Sequence, residues 1–176
     1  MVRRSGYLLL CFLVLAILWG CGENGGNGGT PSDPATERSA PALAPYPAGL
    51  SAESSPTDVA TVLIAALDSE DKATLLGLVA VEHEVEAVDA IYRRHGRASR
   101  LKPENVAAMT AAGWQATYAF FKKNETKVER ETVTGDKAEV FAAGKSPLDK
   151  PCGLKIKLVR EGGVWKVRAG LESLPE

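Results

Sequence analysis

The sequence predicts an α+β fold, with N-terminal helices packed on one face of a curved antiparallel sheet. Three observations carry this. From Ser55 to Phe121 the apolar side chains recur at helical spacing. From about Thr126 the period shortens to two, and Gly135-Asp136 and Gly162-Gly163 punctuate that second part as hairpin turns. Helices followed by a strand meander place the helices together on one side of the sheet.

The elements follow in order. Ser55-Pro56-Thr57-Asp58 reads as a helix start, with Ser as N-cap, Pro in the first turn and an acid at the third position. Val59, Val62, Leu63, Ala66 and Leu67 then form one apolar stripe, which the polar run Asp68 to Asp71 ends. A short second helix carries Leu75, Leu76, Leu78 and Val79. A third, over about 82–95, turns Val85, Val88, Ile91 and Tyr92 inward and stops before Gly96. Pro103-Glu104 opens a fourth, burying Val106, Met109, Trp114 and Phe121, with a break expected at Gly113. Lys127–Thr134, Lys137–Ala143, Leu154–Arg160 and Val164–Ala169 alternate as strands. No internal repeat is visible.

The chain of 176 residues has room for one ordinary domain, and its net charge is −1. Without the first 20 residues Arg3 and Arg4 are lost, leaving 19 basic against 22 acidic groups. That balance argues against a nucleic-acid partner, which favours a strong basic excess. The folded part holds a single cysteine, Cys152, in a loop-like Pro151-Cys152-Gly153 context, which reads as an unreactive thiol at a strand entrance.

The N-terminus has its own pattern. Arg3 and Arg4 precede an apolar run from Tyr7 to Trp19, long enough for a secretory leader and too short for a spanning helix. The run ends in Leu18-Trp19-Gly20-Cys21, which resembles the lipobox of bacterial lipoproteins, with Trp19 larger than the residue usual there. The resemblance implies cleavage before Cys21, lipidation of its sulfur, and a place in the bacterial cell envelope. With Gly22 next, a Gram-negative host is expected to send the protein to the outer membrane. Only a thiolate is nucleophilic enough to take the lipid as a stable thioether, and several acyl chains make the anchor effectively permanent. Residues 22–55 hold six Gly and five Pro among small and polar residues. A segment that buries so little cannot offset its ordering entropy, so it reads as a disordered tether spanning on the order of 30 Å. Tyr46 and Leu50 read as scattered linker residues. The expected organisation is therefore a signal peptide over 1–20, a tether over 21–54 and one domain over 55–172.

Within that domain the start Pro56-Thr57-Asp58-Val59, the acidic break, the Leu-rich short helix and the closing Glu161-Gly162-Gly163-Val164-Trp165-Lys166-Val167 form a pattern. It resembles the nuclear-transport-factor-2-like (NTF2-like) superfamily, in particular its small bacterial lipoproteins without an assigned activity. The resemblance implies a cone-shaped α+β domain. Enzymes of that superfamily use Asp and Tyr groups for proton transfer inside the cone, but no motif here aligns with theirs.

Candidate chemistry is sparse. The third helix offers His83, Asp89 and Tyr92 as a possible pocket, with His83 and Glu86 at metal-sharing distance. The plainer reading is that its early acids and late bases complement the helix dipole, with Asp89 and Arg93 as an i,i+4 pair. Lys155, Lys157, Lys166 and Arg168 offer a basic face for anionic lipid or glycan, or solvated positions opposite Glu129, Glu131 or Glu139. No phosphate-binding glycine loop, HExxH, G-x-S-x-G or calcium loop occurs, so no cofactor or metal is expected. The sequence thus predicts a membrane-anchored, non-enzymatic binding or interaction module with an unknown protein or small ligand. The alternatives are an isomerase- or cyclase-type enzyme using the cone, and a structural or inhibitory lipoprotein that pairs with a partner or itself through the sheet face. A hollow cone lined by polar groups favours the enzyme. One filled by Trp114, Phe121, Ile156 and Trp165 favours the others.

Overall fold

The computed structural model describes residues 44–99 and 101–175. The leader, Cys21 and the tether up to residue 43 lie outside the described residues.

Helix α1 (Pro56–Ser69) opens with the expected reciprocal cap. The Asp58 amide donates to Ser55 Oγ at 3.1 Å and the Ser55 amide to Asp58 Oδ2 at 2.8 Å. The Ser55 amide and hydroxyl, both donating to Asp58 Oδ2, hold that carboxyl below the usual range. Glu70, with φ of 58°, ends α1, and Asp71 then caps α2 (Lys72–Leu78) by accepting from the Ala73 and Thr74 amides. Helix α3 spans Val81–Arg94 and α4 spans Pro103–Tyr118. The break expected at Gly113 does not occur: nothing crowds that site, and the buried face formed by Val106, Ala107, Ala111, Trp114 and Tyr118 holds α4 together across it.

The sheet runs through β1 (Lys127–Thr134), β2 (Lys137–Lys145), β3 (Pro151–Glu161), β4 (Val164–Val167) and β5 (Glu172–Pro175), all antiparallel. Strand order is β1-β2-β3-β4, and β5 also pairs with β3. β3 is long enough to carry β4 on Leu158–Glu161 and β5 on Cys152–Lys155. β4 stops two residues sooner than expected, where the Ala80 amide donates to the Val167 carbonyl at 2.9 Å. β5 was not expected, because Glu172-Ser173-Leu174-Pro175 has no alternation of its own and is a strand only because β3 offers it a place. A register shift between Val128 and Arg130 puts an irregularity into edge strand β1.

One face of this sheet meets the helices. Ala138, Val140, Ala142, Leu154, Ile156, Leu158, Trp165 and Val167 share a single core with Leu63, Leu75, Leu78, Trp114, Tyr118 and Phe121. The helices-first, meander-second expectation holds. Three side chains depart from it. Met109, expected inside, is 62% exposed, because at 100° per residue it falls on the side of α4 opposite Ala107, Ala111 and Trp114. Ile91 and Tyr92, expected to face inward, are 55% and 36% exposed: no described element packs over that end of α3.

The domain also begins sooner than expected. Within the presumed tether of 21–54, Tyr46 Oη donates to the Trp165 carbonyl at 2.9 Å, Pro47 is buried, and Tyr46 and Leu50 pack against the core. The strap is admitted by Gly77, where a Cβ would stand 2.3 Å from the Pro45 carbonyl oxygen.

Candidate functional site

The space between helices and sheet, where a cone-shaped domain would keep a pocket, is filled by side chains. Trp114, Phe121, Ile156 and Trp165 are all nearly inaccessible and belong to the one core cluster. Trp114 is oriented as well as packed: its Nε1 donates to the Arg168 carbonyl at 3.1 Å, so its one polar group is satisfied without a cavity.

Polar groups at the rim of this core act as clamps. Glu84, on the buried side of α3, accepts from the Ala169 amide at 3.0 Å and lies 3.7 Å from Arg168 Nε. Residues 168–169 are thereby held from α3 by Glu84 and from α4 by Trp114. Glu161 Oε2 accepts from the His83 amide at 3.2 Å, capping an α3 whose own N-cap, Ala80, has no side-chain acceptor. Tyr118 donates from its hydroxyl to Asp68 at 2.9 Å, and Asp68 also takes the Asn124 amide at 3.0 Å. Burial, reinforced by Asp68, pushes the Tyr118 phenol up to about 12. At neutral pH this phenol stays protonated and donates to Asp68.

The four basic side chains Lys155, Lys157, Lys166 and Arg168 do not make one face. Lys155 pairs with Glu139 at 3.2 Å and lies 3.8 Å from Glu172, while Lys157 bonds directly to Glu172. Of the glutamates expected opposite them, Glu139 is engaged; Glu131 instead accepts from Thr57 on α1, and β5 brings Glu172 in its place. Lys166 turns to the sheet edge, donating to the Gly77 carbonyl with its Nζ 4.6 Å from the centre of the Tyr46 ring. Burial lowers its pKa, with Glu161 opposing. Arg168 goes to Glu84. Strand alternation placed these residues together, and three separate sets of partners draw them apart.

Nor are His83, Asp89 and Tyr92 assembled into a pocket. His83 and Tyr92 are nine residues apart on α3, which puts them on opposite sides of the helix; Asp89 and Tyr92 are neighbours on its surface. The Asp89–Arg93 pair is not formed within ion-pair distance among the described residues. No group of three metal-ligating side chains is present among the described residues. Cys152 is half-buried on β3 opposite Gly144.

Surface depressions remain. One of about 480 Å³ lies beside Leu67, Tyr118 and Phe121, with the Glu70–Lys123 ion pair (2.7 Å) at its rim. Another, of about 360 Å³, lies on the outer sheet face around Phe141, under the Arg130 guanidinium 4.8 Å from the ring centre. Both are open grooves, and in each the acid and the base are engaged with one another: Glu70 with Lys123 in the first, Glu139 with Lys155 in the second.

Sequence reasoning missed Glu84 as a clamp. The available signal was a carboxylate at i+3 from Val81 and i−4 from Val88, inside an otherwise apolar stripe.

No protein-family model matches the sequence, and no match was found among curated proteins. Among solved structures, the chain is similar to a Campylobacter jejuni protein whose crystal structure describes it as a candidate NTF2-like transpeptidase. Identity is 16% and the TM-score 0.41, over 66% of this chain and all of that one. It is also similar to a de novo designed protein with a curved β-sheet, at 13% identity and a TM-score of 0.29, over 51% of this chain and 86% of that one. Both TM-scores are too low for a shared fold to follow, so the α+β architecture stands on this chain's own elements. No helix among the described residues is long and apolar enough to cross a membrane.

Proposed function

We propose that this is a lipid-anchored protein of the bacterial cell envelope, held through Cys21, whose folded domain is a non-enzymatic binding or interaction module working through its outer surface. The filled interior is the observation that carries the second half. Trp114, Phe121, Ile156 and Trp165 pack together where, among the described residues, an enclosed site would be needed for desolvation to sharpen acid–base chemistry. The first half is supported by Leu18-Trp19-Gly20-Cys21 after a basic, apolar leader. The NTF2-like resemblance belongs to the same reading, supported by the order of helices and strands and by the closing Gly162–Val167 hairpin.

Two experiments test it. Cys21→Ala should leave a longer, unlipidated precursor; maturation and partitioning like wild type would overturn the anchor. Native mass spectrometry of the gently purified chain should give the protein mass plus lipid alone. A retained small molecule would overturn the filled-interior argument.

A further inference from the structure

Five of the chain's 21 Lys and Arg fall within residues 93–102, Arg93-Arg94-His95-Gly96-Arg97-Ala98-Ser99-Arg100-Leu101-Lys102, with no Asp or Glu among them. This run is the elbow between α3 and α4. Arg93, Arg94, Arg97 and Lys102 are exposed, and none takes part in an ion pair among the described residues. The lysines after α4 and around the β2–β3 connection differ: Lys122 and Lys145 both reach Glu125, Lys122 also reaches Asp149, and Lys123 pairs with Glu70. Directly before the basic run, α3 presents Ile91 and Tyr92 on the side that Val81 and Glu84 bury at the start of the same helix.

We infer that this elbow is a contact surface for the head groups of an anionic bilayer. Unpaired guanidinium groups bind lipid phosphates, and an adjacent tyrosine and isoleucine suit the boundary between head groups and acyl chains. The apolar pair favours a bilayer over nucleic acid, for which phosphate contacts alone would serve. The inference rests on the membrane-anchored reading for the bilayer's being within reach; the recognition chemistry is the elbow's own. Contact would give the domain a defined face toward the membrane.

Hydrogen exchange on the full chain tests this, in the presence of vesicles of phosphatidylcholine alone or with roughly a third phosphatidylglycerol. Amides of 91–102 should exchange about tenfold more slowly with the anionic vesicles only, and high salt should abolish the effect. The variant R93E/R94E/R97E should lose it while exchange in β2 and β3 stays unchanged, and K127E/K145E/K150E should retain it. Equal exchange in both vesicles, or protection that survives the arginine reversal, overturns the inference. So does an oligonucleotide that protects the same amides more strongly than the anionic vesicles. The mass of the Cys21 peptide, measured on the same material, reports acylation separately. An unacylated Cys21 with a protected elbow removes the anchor alone, and the converse removes the elbow alone.

Discussion

The two ends of α3 carry the same apolar stripe and meet different fates. At the first end Val81 is buried, Glu84 grips the Ala169 amide, and Glu161 caps the His83 amide from the end of β3. Ten residues on, Ile91 and Tyr92 continue that side of the helix into solvent. Helical periodicity states which side chains share a face. Whether anything covers that face depends on what packs opposite it, and at Ile91 and Tyr92 the described residues leave it open.

The clamped end should be the costly one to disturb. Trp114→Ala removes a wholly buried indole and its bond to the Arg168 carbonyl, and should destabilise the fold by about 3–5 kcal/mol in urea unfolding. Glu84→Ala leaves the Ala169 amide without its acceptor and a buried Arg168 Nε without its counter-charge. A loss of about 2 kcal/mol is expected, with Glu84→Gln recovering part of it.

Tyr118→Phe, at the clamp between α4 and α1, should cost about 1 kcal/mol through the lost bond to Asp68. It should also change the alkaline limb of stability. The folded phenol, raised to about 12 against 10.0 in the unfolded chain, contributes stability that is complete below pH 10 and lost as pH climbs toward 12. In the variant that part of the alkaline decline should be absent. Ile91→Ala with Tyr92→Ala at the open end should change stability by less than about 0.5 kcal/mol. A cost near that of Glu84→Ala would mean that the open end is covered in solution, which circular dichroism melts of the two variants would reveal.

The lysines of the sheet teach a related point. Lys155, Lys157, Lys166 and Arg168 were readable as outward positions of β3 and its neighbour, and alternation alone would make them one basic face. Glu172 on β5, Gly77 at the end of α2 and Glu84 on α3 take them up separately. None of these partners is near them in sequence except Glu172, and its strand exists only through pairing with β3.

What the sequence by itself determined were the features whose causes lie within a few residues. The Ser55–Asp58 cap, the Asp71 cap, the turns at Gly135 and Gly162-Gly163, and the alternation that buries Leu154, Ile156 and Leu158 all follow from local hydrogen bonding and side-chain period. Tertiary structure alone decided the rest: the strap at Tyr46, the clamp at Glu84, the fifth strand, the filled interior, and the exposure of Ile91 and Tyr92. Each of these depends on which surface lies opposite. That is a matter of how far elements reach and how they stack, and a one-dimensional pattern of apolar residues does not encode it.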